Sequence, residues 1–227
     1  MSAPPAAGPP PTSGRSPGTG LPAPAGDPPS VVVWDLGNVL IPWDRLGALA
    51  VAEPDRDEAR RLAAEVFTME VNVHLDAGRP LGEIRAIVER ENPGHGWVVD
   101  SYVEHFRHSL GEQISGSVAL VDELLADGVR CVGLSNWSRL TFEDVPEAYP
   151  ALQRLEGIVI SGDVGVCKPD PAIYRHCEAR FAFTAADALF IDDSPGNVAG
   201  AHAVGWDAVV FTDPDALRAD LAERGLC

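Results

Sequence analysis

The chain is short of several features that mark large classes of protein. It has 227 residues but only four cysteines, at positions 131, 167, 177 and 227, with no Cys-x-x-Cys pair among them. Four thiols in a chain this long do not make a disulfide framework, which points to reduced cysteines and a cytoplasmic setting. Cations are scarce as well: 17 Lys and Arg stand against 34 Asp and Glu, for a formal net charge of −17. That balance argues against a nucleic-acid partner, whose phosphates need a basic surface. It argues equally against an anionic membrane surface, although an acidic protein can still hold one local cationic pocket. No apolar run reaches the roughly eighteen residues of a transmembrane helix. The first thirty residues, "MSAPPAAGPPPTSGRSPGTGLPAPAGDPPS", have no charged start followed by an apolar stretch, so they do not read as a secretory leader. Pro, Gly, Ala and Ser dominate them, and such a segment cannot bury enough surface to offset ordering. Residues 1–30 are therefore expected to be a disordered tail.

What remains is enough for one good-sized domain with a modest insert. The apolar fraction is 45%, which can build a real core. From Val31 the texture changes. "VVVW" is β-branched and apolar without alternation, as in a central strand covered on both faces. Residues 44–112 then read as helices. "DEARRLAAEVFTME" sets Leu62, Val66 and Met69 on one helical face, "PLGEIRAIVERE" sets Leu81, Ile84 and Val88, and "WVVDSYVEHFRHSL" sets Val99, Val103, Phe106 and Leu110. After this block comes an alternation of helices with the short apolar runs "VRCVGLS", "GIVIS", "ALFID" and "WDAVVF". Strands separated by helices imply a parallel sheet with crossovers. The expected architecture is α/β, a Rossmann-like parallel-sheet core of residues 31–43 and 113–227 with an all-helical cap at 44–112.

In open parallel sheets ligands bind beyond the carboxyl ends of the strands. Those ends carry Asp35, Ser135 with Asn136, and the pair Asp192 and Asp193, while "GDVGVCKPDPAIY" after "GIVIS" adds Lys168. Like charges repel, so carboxylates gathered at a partly buried rim call for a counter-ion. A hard divalent cation such as Mg²⁺ takes oxygen ligands and shares them with a phosphate. Beside such an ion Asp35 can attack phosphorus as a carboxylate nucleophile, with Lys168 and Ser135 holding the phosphoryl oxygens.

The segments "WDLGNVL", "GLSNWS", "CKPDPAIY" and "FIDDSPGNVAGAHAVG" resemble, in order, the four signature motifs of the haloacid dehalogenase-like hydrolase superfamily. The resemblance runs over residues 31–213, and the helical insert is similar to the small cap of the superfamily's phosphatase branch. "DLGNV" with "SNWSRLTFEDVPEAYP" is similar, over fewer residues, to a bacterial group that includes glucose-1-phosphate phosphatase. The resemblance implies that Asp35 is nucleophile and Mg²⁺ ligand, and that the Gly37 carbonyl and Asp193 are further ligands. It implies that Asp192 binds the metal directly or through water, and that Ser135, Asn136 and Lys168 hold the phosphoryl group.

One position departs from the pattern. Most phosphatases of the superfamily carry a second Asp two residues after the nucleophile, as general acid and base, and here that position is Gly37. Another residue, a water, or a leaving group that needs little help would fill that part, and His74 and Asp76, in the expected cap, are the candidate residues. The other histidines, 95, 105, 108, 176 and 202, show no ligand spacing, and Cys167 reads as inert. Trp43 and Trp137 follow catalytic strands, where one would either line a substrate pocket or pack in the core. The expected activity is Mg²⁺-dependent hydrolysis of a small phosphate ester, a sugar phosphate being one option, through an aspartyl-phosphate. The alternatives are a metal-free 2-haloacid dehalogenase on the same fold and a catalytically weak binding or regulatory protein. The sequence is silent on oligomeric state.

Overall fold

A computed structural model describes residues 28–226. The tail expected over residues 1–30 lies, up to residue 27, outside the described residues. The centre is a five-stranded, all-parallel sheet in the order β3-β2-β1-β4-β5. The strands are β1 (Val31–Trp34), β2 (Arg130–Ser135), β3 (Ile158–Ile160), β4 (Ala188–Asp192) and β5 (Asp207–Val210). β1 is the middle strand, and its lack of alternation has a direct cause. Val32 and Trp34 enter one apolar cluster while Val31 and Val33 enter another on the opposite face of the sheet. Both faces are covered, so every position is apolar.

Twelve helices are described. Five fall between β1 and the next core helix: α1 (Arg45–Ala52), α2 (Arg56–Arg61), α3 (Met69–Asp76), α4 (Leu81–Glu91) and α5 (Trp97–Glu104). The rest are α6 (Ser115–Ala126), α7 (Arg139–Phe142), α8 (Val145–Ala148), α9 (Ser161–Val164), α10 (Pro171–Phe181), α11 (Pro195–Ala203) and α12 (Pro214–Glu223). α6 ends at a glycine in the left-handed region, Gly128 at φ +81°, where only a residue without Cβ is unstrained. Asp213 starts α12 by accepting from the N–H groups of Asp215 and Ala216.

The two chain segments that join α1–α5 to the sheet run beside each other. Trp43 and Leu110 form an antiparallel bridge, and Asp44 N–H donates to the Ser109 carbonyl and Gly111 N–H to the Pro42 carbonyl, each at 2.9 Å. α1 packs directly on the returning segment. A Cβ at Gly47 would overlap the His108 carbonyl oxygen, so the close approach requires glycine there.

One expected helix is not continuous. Apolar spacing over 57–70 suggests a single amphipathic helix, but the chain forms α2, a π-helical turn at Leu62–Val66, and then a fresh start at α3. Thr68 begins α3 by accepting from the Val71 N–H. The wider turn shifts the helical register. Leu62 and Val66 stay buried while Met69, expected on the same face, is 49% exposed.

Candidate active site

The carboxyl ends of β1, β2 and β4 bring a charged group together at one rim. The Asp35 N–H continues the β1 ladder by donating to the Ile191 carbonyl at 2.9 Å. The chain then turns, and three donors meet on Asp35 Oδ1: the Leu36 N–H at 2.7 Å, the Ser135 hydroxyl at 2.7 Å and Lys168 Nζ at 2.9 Å. Lys168 also donates to Asp192 Oδ2 at 2.6 Å and to the Leu134 carbonyl at 2.8 Å, and its ammonium lies 5.2 Å from the centroid of the Phe190 ring. Asn136 fixes the lysine's backbone on both sides, accepting from its N–H at 2.7 Å and donating to its carbonyl at 3.0 Å. Asp35, Ser135, Lys168 and Asp192 are all buried.

Charge in this rim is out of balance. Burial pushes the Asp35 carboxyl up to about 7, with the Asp192 charge adding to it, and the nearby Lys168 and Ser135 only partly offset this. Burial opposes the Lys168 charge too, but Asp35 and Asp192 together outweigh it and hold its pKa above the ordinary lysine value. Asp193, half-buried, is raised by burial and by Asp192. One carboxylate oxygen from each of Asp35, Asp192 and Asp193 lies within 4.8 Å of the others. Three carboxylates facing one lysine, with the proton affinity of Asp35 and Asp193 raised, form a set of hard oxygen donors short of positive charge. Such a set fits Mg²⁺. Gly37 sits on the same loop, half-buried, and lines the cavity above the rim.

Asp192 has a second job. Its two oxygens accept from the Ser194 N–H, from Asn197 Nδ2 and from Lys168 Nζ, which leaves little room for direct metal contact and suits a water-mediated one. Asp193 is oriented by Asn38, whose amide donates to it at 3.2 Å while its carbonyl accepts the Trp43 N–H at 2.9 Å. Asn38 stands at φ +56°, a conformation that asparagine tolerates better than most residues.

Gly37 itself is free of steric demand. A Cβ there would meet nothing within 4 Å, and its φ is not in the left-handed region. Neither space nor backbone conformation explains why the position lacks a side chain.

A cavity of about 400 Å³ opens above the rim, bounded by Asp35, Lys168 and Asp193 below and by residues of α3 and α5 above. Both Trp43 and Trp137 line it. Asp76, the last residue of α3, reaches it as well, whereas His74 is not among its lining residues. The Asp76 carboxyl accepts from Asn72 Nδ2 at 2.7 Å and faces the Ser138 N–H. Burial lifts its pKa well above the ordinary aspartate value, and the Asp35 charge adds to the shift. Its backbone carbonyl accepts the Ser161 hydroxyl at 2.6 Å, tying α3 to the rim. Cys167, next to Lys168, is inert by the same physics: burial pushes its thiol up to about 11.

Sequence reasoning thus names the groups the fold assembles around Asp35, and passes over Asn38 and Asn197. The glycine-asparagine pair after Asp35 was the available signal for Asn38, since such pairs favour tight turns with positive φ. Asn197 lies in the same motif as its side-chain partner Asp192 and is brought back onto it by the first turn of α11.

The chain matches the haloacid dehalogenase-like hydrolase family over residues 29–205. A drimenol cyclase of Aspergillus calidoustus is 26% identical over 211 residues, which make up 86% of this chain and 38% of the relative. A sesquiterpene phosphatase of Aspergillus oryzae is 30% identical over 109 residues, 48% of this chain and 56% of the relative. The chain therefore spans about half, or less, of the length of these curated relatives. Among solved structures, a haloacid dehalogenase-family enzyme of Bacteroides thetaiotaomicron in complex with magnesium and inorganic phosphate superposes with a TM-score of 0.60 at 19% identity, covering 81% of this chain and 94% of that one. That last likeness is one of fold.

Proposed function

The chain belongs to the haloacid dehalogenase-like hydrolases, and from that membership we propose that it is a Mg²⁺-dependent phosphatase. Its substrate is a small phosphorylated metabolite, and it works through an aspartyl-phosphate on Asp35. The observation that carries this reading is the convergence of Ser135 and Lys168 on one oxygen of Asp35, with the Asp193 carboxylate beside it. The magnesium and phosphate in the Bacteroides enzyme and the phosphatase activity named for the Aspergillus oryzae relative support it.

The residues then take these parts. Oδ1 of Asp35 is held by three donors, so Oδ2, which carries none of those bonds, is the oxygen that attacks phosphorus. The P–O ester bond breaks on the far side as the Asp35–phosphorus bond forms. Lys168 and Ser135 are placed to hold the nonbridging oxygens, with Asn136 fixing the lysine's backbone. Mg²⁺ held by Asp35, Asp193 and the Gly37 carbonyl, with Asp192 reaching it through water, would neutralise the phosphoryl charge and align it with Asp35. Gly37 cannot donate a proton to the departing alkoxide. Asp76 is a carboxyl in the same cavity whose proton affinity burial raises, and we assign it that proton; its carboxylate then takes one back from the water that cleaves the aspartyl-phosphate. Residues 44–112 act as a cap that shields these steps from bulk water.

Three carboxylates at the rim favour this reading over halide displacement, which needs one carboxylate and no cation. The test is hydrolysis of small phosphate esters with Mg²⁺ and with EDTA. Turnover should need the metal and vanish in Asp35→Asn; turnover that survives the substitution would rule out Asp35 as nucleophile.

A further inference from the structure

We propose, building on the phosphatase reading, that the alcohol half of the substrate is a hydrocarbon chain: the enzyme takes an alkyl or alkenyl phosphate monoester in preference to a sugar phosphate. The cavity is divided in two. Its floor carries the polar groups already described, and its upper wall is made of Trp43, Met69, Val73, Tyr102, Phe106 and Trp137. Phe106 and Trp137 meet edge to face at 5.6 Å between ring centroids, and Tyr102 meets Phe106 the same way at 5.6 Å, so this wall is a continuous aromatic surface.

Most polar atoms on the wall are already engaged, and among the described residues of the wall the Trp137 indole N–H is the one left without a partner. Trp43 Nε1 donates to the Tyr102 hydroxyl at 3.0 Å, which Ser109 also contacts, and the Asn72 amide is bound to Asp76. A sugar would bring several hydroxyls to a surface with almost nothing left to pair them, and an unpaired hydroxyl that loses water is strongly disfavoured. A hydrocarbon chain loses nothing there. Among the described residues no Lys, Arg or His other than Lys168 lines the cavity, so a second phosphate or a carboxylate on the substrate would find no cation there. That confines the class to monoesters with an uncharged tail.

The mouth of the cavity points the same way. Among the described residues five large apolar side chains are exposed, and two of them, Met69 at 49% and Val73 at 43%, line this cavity one helical turn apart on α3. α3 starts at Met69 because the π-helical turn before it resets the register, and this turns the methionine away from Leu62 and Val66. A long flexible thioether is well suited to following the contour of a chain.

The experiment uses the full chain with saturating Mg²⁺. Measure kcat/KM for ethyl, butyl, hexyl and octyl phosphate beside glycerol and glucose 1-phosphates, with p-nitrophenyl phosphate as the general phosphatase probe. The expected result is a rise of about two- to fourfold for each added methylene, leaving octyl phosphate at least 100-fold ahead of glucose 1-phosphate. In Met69→Glu/Val73→Glu, both substitutions falling on exposed positions, the slope should flatten to below 1.5-fold per methylene. A flat or falling series in the wild type, or a slope that persists in the double variant, overturns the hydrocarbon proposal while leaving the phosphatase standing. If p-nitrophenyl phosphate and every ester are inert, the phosphatase reading fails. The chain-length series is then read as binding to Asp35→Asn with Mg²⁺, where octyl phosphate binding no tighter than inorganic phosphate overturns the proposal as well.

Discussion

Replacing Asp35 by asparagine should make the metal-free protein more stable. In the folded state burial pushes Asp35 from an ordinary 3.8 up to about 7, so above neutral pH the fold must hold an anion that its surroundings disfavour. The folded state keeps this proton where the unfolded state has released it. Stability from this group is therefore full below about pH 4, falls as pH rises, and levels off above about pH 7. A displacement of about 3 pH units, at about 1.4 kcal/mol each, sets an upper bound of about 4 kcal/mol. Relaxation around the coupled Asp35, Lys168 and Asp192 group reduces it, and about 2 kcal/mol is the working figure. Asp35→Asn removes the charge while its amide oxygen still accepts from Ser135 and Lys168, and Lys168 keeps its bond to Asp192. In EDTA at pH 8 the variant should melt about 4–8 °C above the wild type, and the gap should close as the pH is lowered to 4. With Mg²⁺ at a hundred times its Kd the wild type gains about 2.7 kcal/mol, and the order should reverse. Calorimetry over pH 4–8 with and without the metal reads all of this. An Asp35→Asn protein that melts at or below the wild type in EDTA at pH 8 refutes the reasoning.

Asp76→Asn should slow release of an aliphatic alcohol by about 10²-fold or more, yet leave the p-nitrophenolate burst in single-turnover kinetics, because that leaving group needs no proton; equal loss on both substrates would mark a structural role. Gly37→Asp should fold with a melting temperature within about 2 °C of the wild type, since the position is open. It should also restore alkyl ester hydrolysis to Asp76→Asn; a double variant as slow as Asp76→Asn alone would show that a carboxyl at 37 cannot reach the leaving group. Gly47→Ala must push α1 away from the His108 carbonyl, at a cost of about 1–3 kcal/mol, visible in urea denaturation, and a neutral substitution would contradict the close packing.

The sheet was legible because its signal is local. "VVVW" lacks alternation since both faces of β1 are buried, and "ALFID" coincides with β4, which ends on Asp192. The residues gathered at the rim were legible through motif order and the rule that ligands sit beyond strand ends. The break between α2 and α3 was not. Apolar spacing of three and four cannot reveal a turn widened by one residue, and Met69 was assigned to the wrong face for that reason. The turn at Asn38 has a local signal but its role does not, because the Asp193 it holds lies 155 residues away. Asp76 could be named only as a candidate, since what sets its proton affinity is burial against a loop distant in sequence.

The paired segments at Trp43 and Leu110 bear on how such a protein could have been assembled. The chain leaves the sheet and returns to it at neighbouring points, already hydrogen-bonded to each other. Everything between them is grafted onto what amounts to a closed loop of the core. A short turn could join the two ends without moving a strand, and a different helical module could be seated on the same two stems. The carboxylate rim and the apolar wall above it, apart from Trp43 and Trp137, are thus separable in heredity, so the wall can change while the rim keeps its residues. Asp76, if it carries the proton, is the exception, because exchanging the graft would remove a chemical group along with the specificity.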